Sequence, residues 1–185
     1  MIRLIKDNPL TIELYEAAHE VILSDFESTE DLPSELKAFY YLINNRCSFS
    51  GIYKAGRMGG KNGGIDKLSG RWNPTNMIKR IERLGELSDK VTLTNVSYQN
   101  FIEENAWDDD GVFVIDPPYV EKAEDIYRHA FGLEEHRTLF TYLNSFWHSY
   151  PNCDFYVFYD EHPYLYELPI PDDVEVLARK FSIAN

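Results

Sequence analysis

The chain has 185 residues, 44% of them apolar, with 13 tyrosines and 11 phenylalanines, and a formal net charge of −13. That length suits one domain, or one domain with an insertion, and builds a core; no apolar run is long enough to span a bilayer and no signal-peptide succession opens the chain, so a cytoplasmic protein is expected. Cys47 and Cys153 stand far apart and read as reduced thiols, which excludes a disulfide scaffold, and no Cys/His spacing marks a zinc site.

In chain order, Ile2-Arg3-Leu4-Ile5 reads as a short strand. A helix follows over Leu10–Leu23, with Asn8 as cap and Pro9 in its first turn. Pro33 opens a second helix near Ser34, on which Leu36, Phe39, Tyr40 and Ile43 are periodic. Residues 47–73 hold seven of the ten glycines and read as an extended, glycine-hinged insertion that orders on DNA. Asn73-Pro74 starts a third helix reaching about Leu87, with Met77, Ile78, Ile81 and Leu84 buried. Val91–Val96 alternates as a strand, and Tyr98–Glu104 is a short helix. Val112–Ile115 reads as a fully buried strand between Asp108-Asp109-Asp110-Gly111 and Asp116-Pro117. After a loop over 120–133 come a helix from Glu134 to about Tyr150, a strand over Phe155–Tyr159 and a last strand over 174–182. Strands alternating with helices indicate an α/β class with a mainly parallel sheet.

Asp116-Pro117-Pro118-Tyr119 follows a strand at its carboxyl end, where open α/β sheets bind ligands. The two prolines remove two backbone donors and fix two φ angles. A carboxylate, a free carbonyl and an aromatic ring at one stiff point suit a planar ligand that carries an amino group.

Charge is unevenly spread. Residues 46–83 carry nine basic and two acidic residues, a net of +7, while the rest carries 9 basic and 29 acidic residues, a net of −20. A local basic stretch on an acidic body fits a phosphate-binding face; a solvated loop is the plainer alternative.

The Asp116–Tyr119 tetrapeptide resembles motif IV of the amino-methyltransferases, and in its D-P-P-Y form the adenine type. The stretch Ala38 to Lys54, with Asn45-Arg46-Cys47 and Phe49-Ser50-Gly51-Ile52-Tyr53-Lys54, resembles that family's F-x-x-L-N-R-x-C-F-N-G-L-Y-R segment. Ser69-Gly70-Arg71-Trp72-Asn73-Pro74 resembles the end of a target-recognition insertion in phage and bacterial members, and Phe155 to Pro163 resembles motif VIII. The order of the blocks is similar to that of Dam-like, alpha-group adenine DNA methyltransferases, over roughly residues 2–182.

The resemblance implies a partial Rossmann-like methyltransferase sheet in a single domain over 1–185, with a glycine-rich, basic target-recognition insertion at 46–73. It implies methyl transfer from S-adenosylmethionine to the exocyclic amine of an adenine flipped out of double-stranded DNA. Asp116 and the Pro117 carbonyl would hold the amine, and Tyr119 would stack on the base or serve as a packed aromatic. Asp7 would face the cofactor, or cap a helix; Ser97 and Tyr98 would contact the cofactor, or Tyr98 would simply pack. Arg46, Lys54, Arg57, Lys61 and Arg71 would meet DNA phosphates. Tyr159 would contact the target base or lie in the strand core, and His129 and His136 would lie on the surface or on a helix face. One departure matters. The family's cofactor-cradling glycine loop after an N-terminal strand has no counterpart; the only cluster, Gly59-Gly60-Lys61-Asn62-Gly63-Gly64, lies within the recognition region. A split or truncated enzyme is therefore expected, with a second polypeptide supplying that loop; the alternative is a non-catalytic DNA-binding module on the same scaffold.

Overall fold

Ile2–Asp7 is a helix, α1, where the sequence suggests a strand. Met1, Leu4 and Ile5 stand at helical spacing, and all three pack into one core with Tyr15, Phe39 and Ile43. So short an apolar run is locally ambiguous, and packing decides it. Asn8 does not cap the following helix. It closes α1 instead, its backbone N–H and its Nδ2 both donating to the Leu4 carbonyl, at 3.1 and 2.9 Å. The next helix, α2 (Ile12–Leu23), starts later than Leu10, and Thr11 is its cap: Oγ1 accepts from the Leu14 N–H at 3.1 Å.

The computed structural model describes residues 1–24, 31–106, 111–121, 126–127, 129–172 and 174–178. They fall into two units, one formed by Met1–Leu93 and the other from Thr94 onward, with residues 126 and 127 grouping with the first.

In the first unit Pro33 leads into α3 (Ser34–Cys47), as its sequence indicates. α2 and α3 pack through Tyr15, Ala18, Phe39 and Ile43, all nearly inaccessible. Burying a side chain such as Phe39 contributes about 1.5–3 kcal/mol. Cys47 ends α3 inside this core, and burial pushes its thiol up to about 11. The reactive thiolate is thus scarce and shielded. Alkylation of the native protein at pH 8, followed by mass spectrometry, should leave Cys47 unmodified until the chain is denatured; rapid native labelling would contradict this packing.

The 47–73 segment is not an extended insertion awaiting DNA. Ser48 and Arg57 form an antiparallel bridge, the Met58 N–H donates to the Cys47 carbonyl at 2.8 Å, and the Phe49 N–H donates to the Gly56 carbonyl at 2.9 Å. A buried polar node fastens this loop to the helices. The Tyr15 hydroxyl meets Ser48 Oγ at 3.1 Å, Ser48 Oγ donates to Asn44 Oδ1 at 2.9 Å, and Asn44 Nδ2 donates to the Tyr53 carbonyl at 2.9 Å. Further on, the short helix α4 (Ile65–Leu68) sinks Leu68 into the same core. Gly59 has φ +83°, and a Cβ there would lie 2.6 Å from Lys67 Cβ, so the turn requires glycine.

α5 (Pro74–Glu86) begins where Asn73-Pro74 indicates, Asn73 Oδ1 accepting from the Asn76 N–H at 3.0 Å. Met77, Ile78 and Ile81 pack inward, but Leu84 is 66% exposed rather than buried. α5 has 13 residues and lies against the six-residue α1, so its last turn outruns its cover. Val91–Val96 is not a strand. It has no ladder partner among the described residues, and Leu93 is 90% exposed.

The second unit contains a β-α-β element. α6 (Tyr98–Asn105) is capped by Ser97, whose Oγ accepts from the Asn100 N–H at 3.2 Å. β1 (Val112–Ile115) leads to α7 (Leu133–Trp147) and then to β2 (Asp154–Val157). The strands are parallel, with Val112 opposite Asp154 and Ile115 opposite Val157. On the inner face Phe113 stacks on Phe155 at 4.9 Å and joins Ile102 from α6 with Leu139, Leu143 and Phe146 from α7. The mixed α/β class is therefore present, among the described residues as a two-stranded parallel sheet. β1 is not buried on both faces: Val112 and Val114 are more than half exposed, as are Tyr156 on β2 and Phe158 just after it. The expected strand over 174–182 is not formed at 174–178, and 179–182 lie outside the described residues.

Candidate functional site

The polypeptide leaves β1 directly into Asp116-Pro117-Pro118-Tyr119. Asp116 is exposed, Pro117 is buried and Tyr119 is 36% exposed. Beside the strand runs a cleft of about 770 Å³. Asp116 and Pro117 line it together with Tyr98, Phe101 and Phe131. Residues drawn from α6, from the end of β1 and from the segment before α7 thus meet at one place. The cleft brings together three of the sequence-derived positions, Tyr98, Asp116 and Pro117. Phe101 and Phe131, its other aromatic walls, escaped sequence reading, because an aromatic one turn along a short helix and another in a loop carry no local signal of a shared cavity.

Tyr98 is held edge-on against Tyr142 at 5.7 Å, and burial raises its hydroxyl above the ordinary value. Tyr142 donates to the Gln99 carbonyl at 3.2 Å and lies 3.3 Å from Glu103, tying α7 to α6. Burial first, and then the Glu103 carboxylate, push Tyr142 up to about 12. Both phenols stay neutral through the physiological range, so the aromatic side of the cleft is uncharged there.

The remaining sequence-derived positions are placed otherwise. Ser97 Oγ is engaged as the α6 cap. Asp7 ends α1 in the first unit, exposed and 3.2 Å from Arg3 Nε, and does not follow a strand. Arg46 donates twice to the Arg71 carbonyl, from Nε at 3.0 Å and Nη2 at 2.8 Å. Arg57 donates from Nε to the Gly60 carbonyl at 3.0 Å and from Nη2 to the Lys61 carbonyl, with Nη1 3.8 Å from Glu16. These two guanidinium groups staple the loop. Lys54 and Lys61 are exposed on it, and Arg71 is half-buried.

His136 is fully buried, not a surface histidine, whereas His129 is exposed. The Nδ1 of His136 lies 2.9 Å from the Tyr159 hydroxyl, and its Nε2 has no hydrogen-bond partner among the described residues. The sequence did carry a signal: His136 shares a helical stripe with Leu139, Leu143 and Phe146. Tyr159 is occupied by this contact, and burial, with Asp160 beside it, raises its hydroxyl above the ordinary value. Burial lowers His136 below its ordinary 6.5, against the opposing pull of Asp160 and Glu135 and with a small push from His162. Because the folded value is the lower one, the unfolded chain takes the proton first. The stability due to neutral His136 is present above 6.5 and is lost as pH falls through the folded value. Thermal melts should therefore show the midpoint falling below pH 6.5, and His136→Gln should flatten that fall relative to the parent. Parallel pH profiles for the two proteins would refute this.

Among the described residues no group of His, Cys, Asp and Glu is placed to hold a metal ion, and no helix is long and apolar enough to cross a membrane. The family model for D12 class N6 adenine-specific DNA methyltransferases matches residues 7–168. No curated protein and no solved structure matches the chain.

Proposed function

Since the chain belongs to the D12 class N6 adenine-specific DNA methyltransferases, we propose that the cleft at the end of β1 is where the target adenine amine is held. The enzyme methylates adenine in DNA, and DNA is its substrate. The observation that carries the site is the convergence of Asp116 and Pro117 with aromatic walls at the carboxyl end of a parallel strand.

The chemistry follows from the amine. An aromatic amine delocalises its lone pair into the ring and is a poor nucleophile. The Asp116 carboxylate and the Pro117 carbonyl accept its two protons, draw it toward tetrahedral geometry and aim the lone pair outward. The gain comes from positioning and electrostatic preorganisation. The base must leave the duplex to reach this point. Tyr119 offers a face on which it stacks, worth about 1–3 kcal/mol by comparison with other base–aromatic contacts.

S-adenosylmethionine, when bound, supplies an activated methyl group on a sulfonium centre. The cleft suits its purine end: Tyr98, Phe101 and Phe131 are flat and apolar. None of the described residues lining the cleft is basic, so no cationic side chain there meets the methionine carboxylate. Asp7 and Ser97 are weak candidates for this role, given their ion pair and cap. We therefore assign cofactor binding to Tyr98.

In the first unit, Lys54, Lys61 and Arg71 would meet phosphates, while Arg46 and Arg57 shape the loop that presents them. This is the recognition segment at 46–73, acting on double-stranded DNA in the cytoplasm. The deciding experiment is tritiated methyl incorporation into duplex DNA with nucleoside analysis, comparing the parent with Asp116→Ala.

A further inference from the structure

The two prolines fix the backbone at 117 and 118, but covalent geometry leaves Tyr119 and its successor free. A second restraint lies just beyond. The Val120 N–H donates to Oδ1 of Asp160 at 3.3 Å. Asp160 stands three residues past the end of β2, the parallel neighbour of β1. The Phe158 N–H also donates to the Ile115 carbonyl at 2.9 Å, so strand pairing persists to the residue before Asp116. Tyr119 is thus bracketed, by the prolines on one side and by an amide tied to a carboxylate on the other.

Asp160 is itself on a firm base. The adjacent Tyr159 places its hydroxyl 2.9 Å from Nδ1 of the fully buried His136. Its ring packs 5.6 Å from that of Phe140 on α7, and His136 lies edge-on to Phe131, a wall of the cleft. Core, strand end and cleft wall therefore form one connected set.

We propose that Asp160 is a positioning residue for methyl transfer: through the Val120 amide it holds the loop that carries Asp116, Pro117 and Tyr119 in its working geometry. The inference rests on the reading in which those three residues hold the target adenine. Asp160 need not touch the base or the cofactor. A small displacement of a reacting group costs up to about 100-fold in rate. A single hydrogen bond of 3.3 Å places Asp160 below that ceiling, at a loss of about 10-fold or somewhat more.

The test compares Asp160→Ala, which has no acceptor, with Asp160→Asn, which keeps Oδ1 without the charge. Amide exchange followed by NMR should show the Val120 amide exchanging about tenfold faster in Asp160→Ala, with Phe113 and Phe155 in the strands unchanged. Steady-state methylation of duplex DNA should show kcat reduced about 10-fold with KM for DNA held within about 2-fold, since an orienting contact acts on the chemical step. Asp160→Asn should recover most of both. Unchanged Val120 exchange in Asp160→Ala would overturn the proposal, whether or not turnover is measured, and so would faster exchange with unchanged kcat. Asp116→Ala is run alongside. If it is inactive while Asp160→Ala turns over normally, only the positioning role fails; if Asp116→Ala itself methylates normally, the site reading fails.

Discussion

Asp116→Ala is expected to reduce adenine methylation by about 100-fold or more, the cost of removing one preorganised electrostatic interaction from a reacting centre. In the proposed site the carboxylate is the side-chain acceptor for the amine, and among the described residues no other acidic one lines the cleft. Removing it takes away one of the two acceptors proposed for the amine, and the Pro117 carbonyl by itself does not set the lone-pair direction. Asp116 is exposed, so the variant should fold normally and melt with the parent. Tyr119→Ala should also lower the rate, whereas Tyr119→Phe should keep most of it, because stacking requires a ring and not a hydroxyl. Methyl incorporation with nucleoside analysis measures all three. Asp116→Ala acting at the parental rate would place the chemistry elsewhere.

The second large effect concerns DNA affinity. Replacing Lys54, Lys61 and Arg71 together with alanine should reduce the slope of log affinity against log salt by about 3, one for each phosphate that is no longer neutralised. Outside residues 46–83 the chain carries a net charge of −20, so it repels DNA and cannot replace these cations. Arg46→Ala and Arg57→Ala should behave differently. Their guanidinium groups hold the Arg71, Gly60 and Lys61 carbonyls, so either substitution should lower the melting temperature as well as affinity. A titration series between about 50 and 200 mM salt distinguishes the cases. An unchanged slope in the triple variant would remove the DNA face from this loop.

Much of the functional content lay open in the sequence. Asn73-Pro74 announces a helix start, and Asn73 does cap, at 3.0 Å, whereas Ser97, read as a cofactor contact, caps α6 instead. Proline restrictions and caps act within a few residues, so most of them hold in the folded protein; Asn8-Pro9 is the exception, because Asn8 closes α1 and Thr11 caps α2. Val112–Ile115 bounded by turn residues was legible as a strand, and Asp116-Pro117-Pro118-Tyr119 as a loop at its carboxyl end, for the same reason. The family match over 7–168 accords with the chemistry those four residues suggested.

What escaped the sequence was every property that belongs to a pair of distant segments. Ile2–Ile5 and Val91–Val96 carry strand-like residues, yet one is helix and the other irregular, because a strand exists only where a partner completes its ladder. The outward exposure of Val112 and Val114 and the stapling by Arg46 and Arg57 were equally invisible, whereas the burial of His136 was signalled by its helical stripe with Leu139, Leu143 and Phe146. The residues themselves, the Asn73-Pro74 helix start and the stiffness of the Asp116–Tyr119 loop were determined by the amino-acid order alone. Which of the cations staple the 46–73 segment, and which side chain meets the Val120 amide, was decided only when segments far apart in the chain came together, because a hydrogen bond or a buried face needs both of its partners in place.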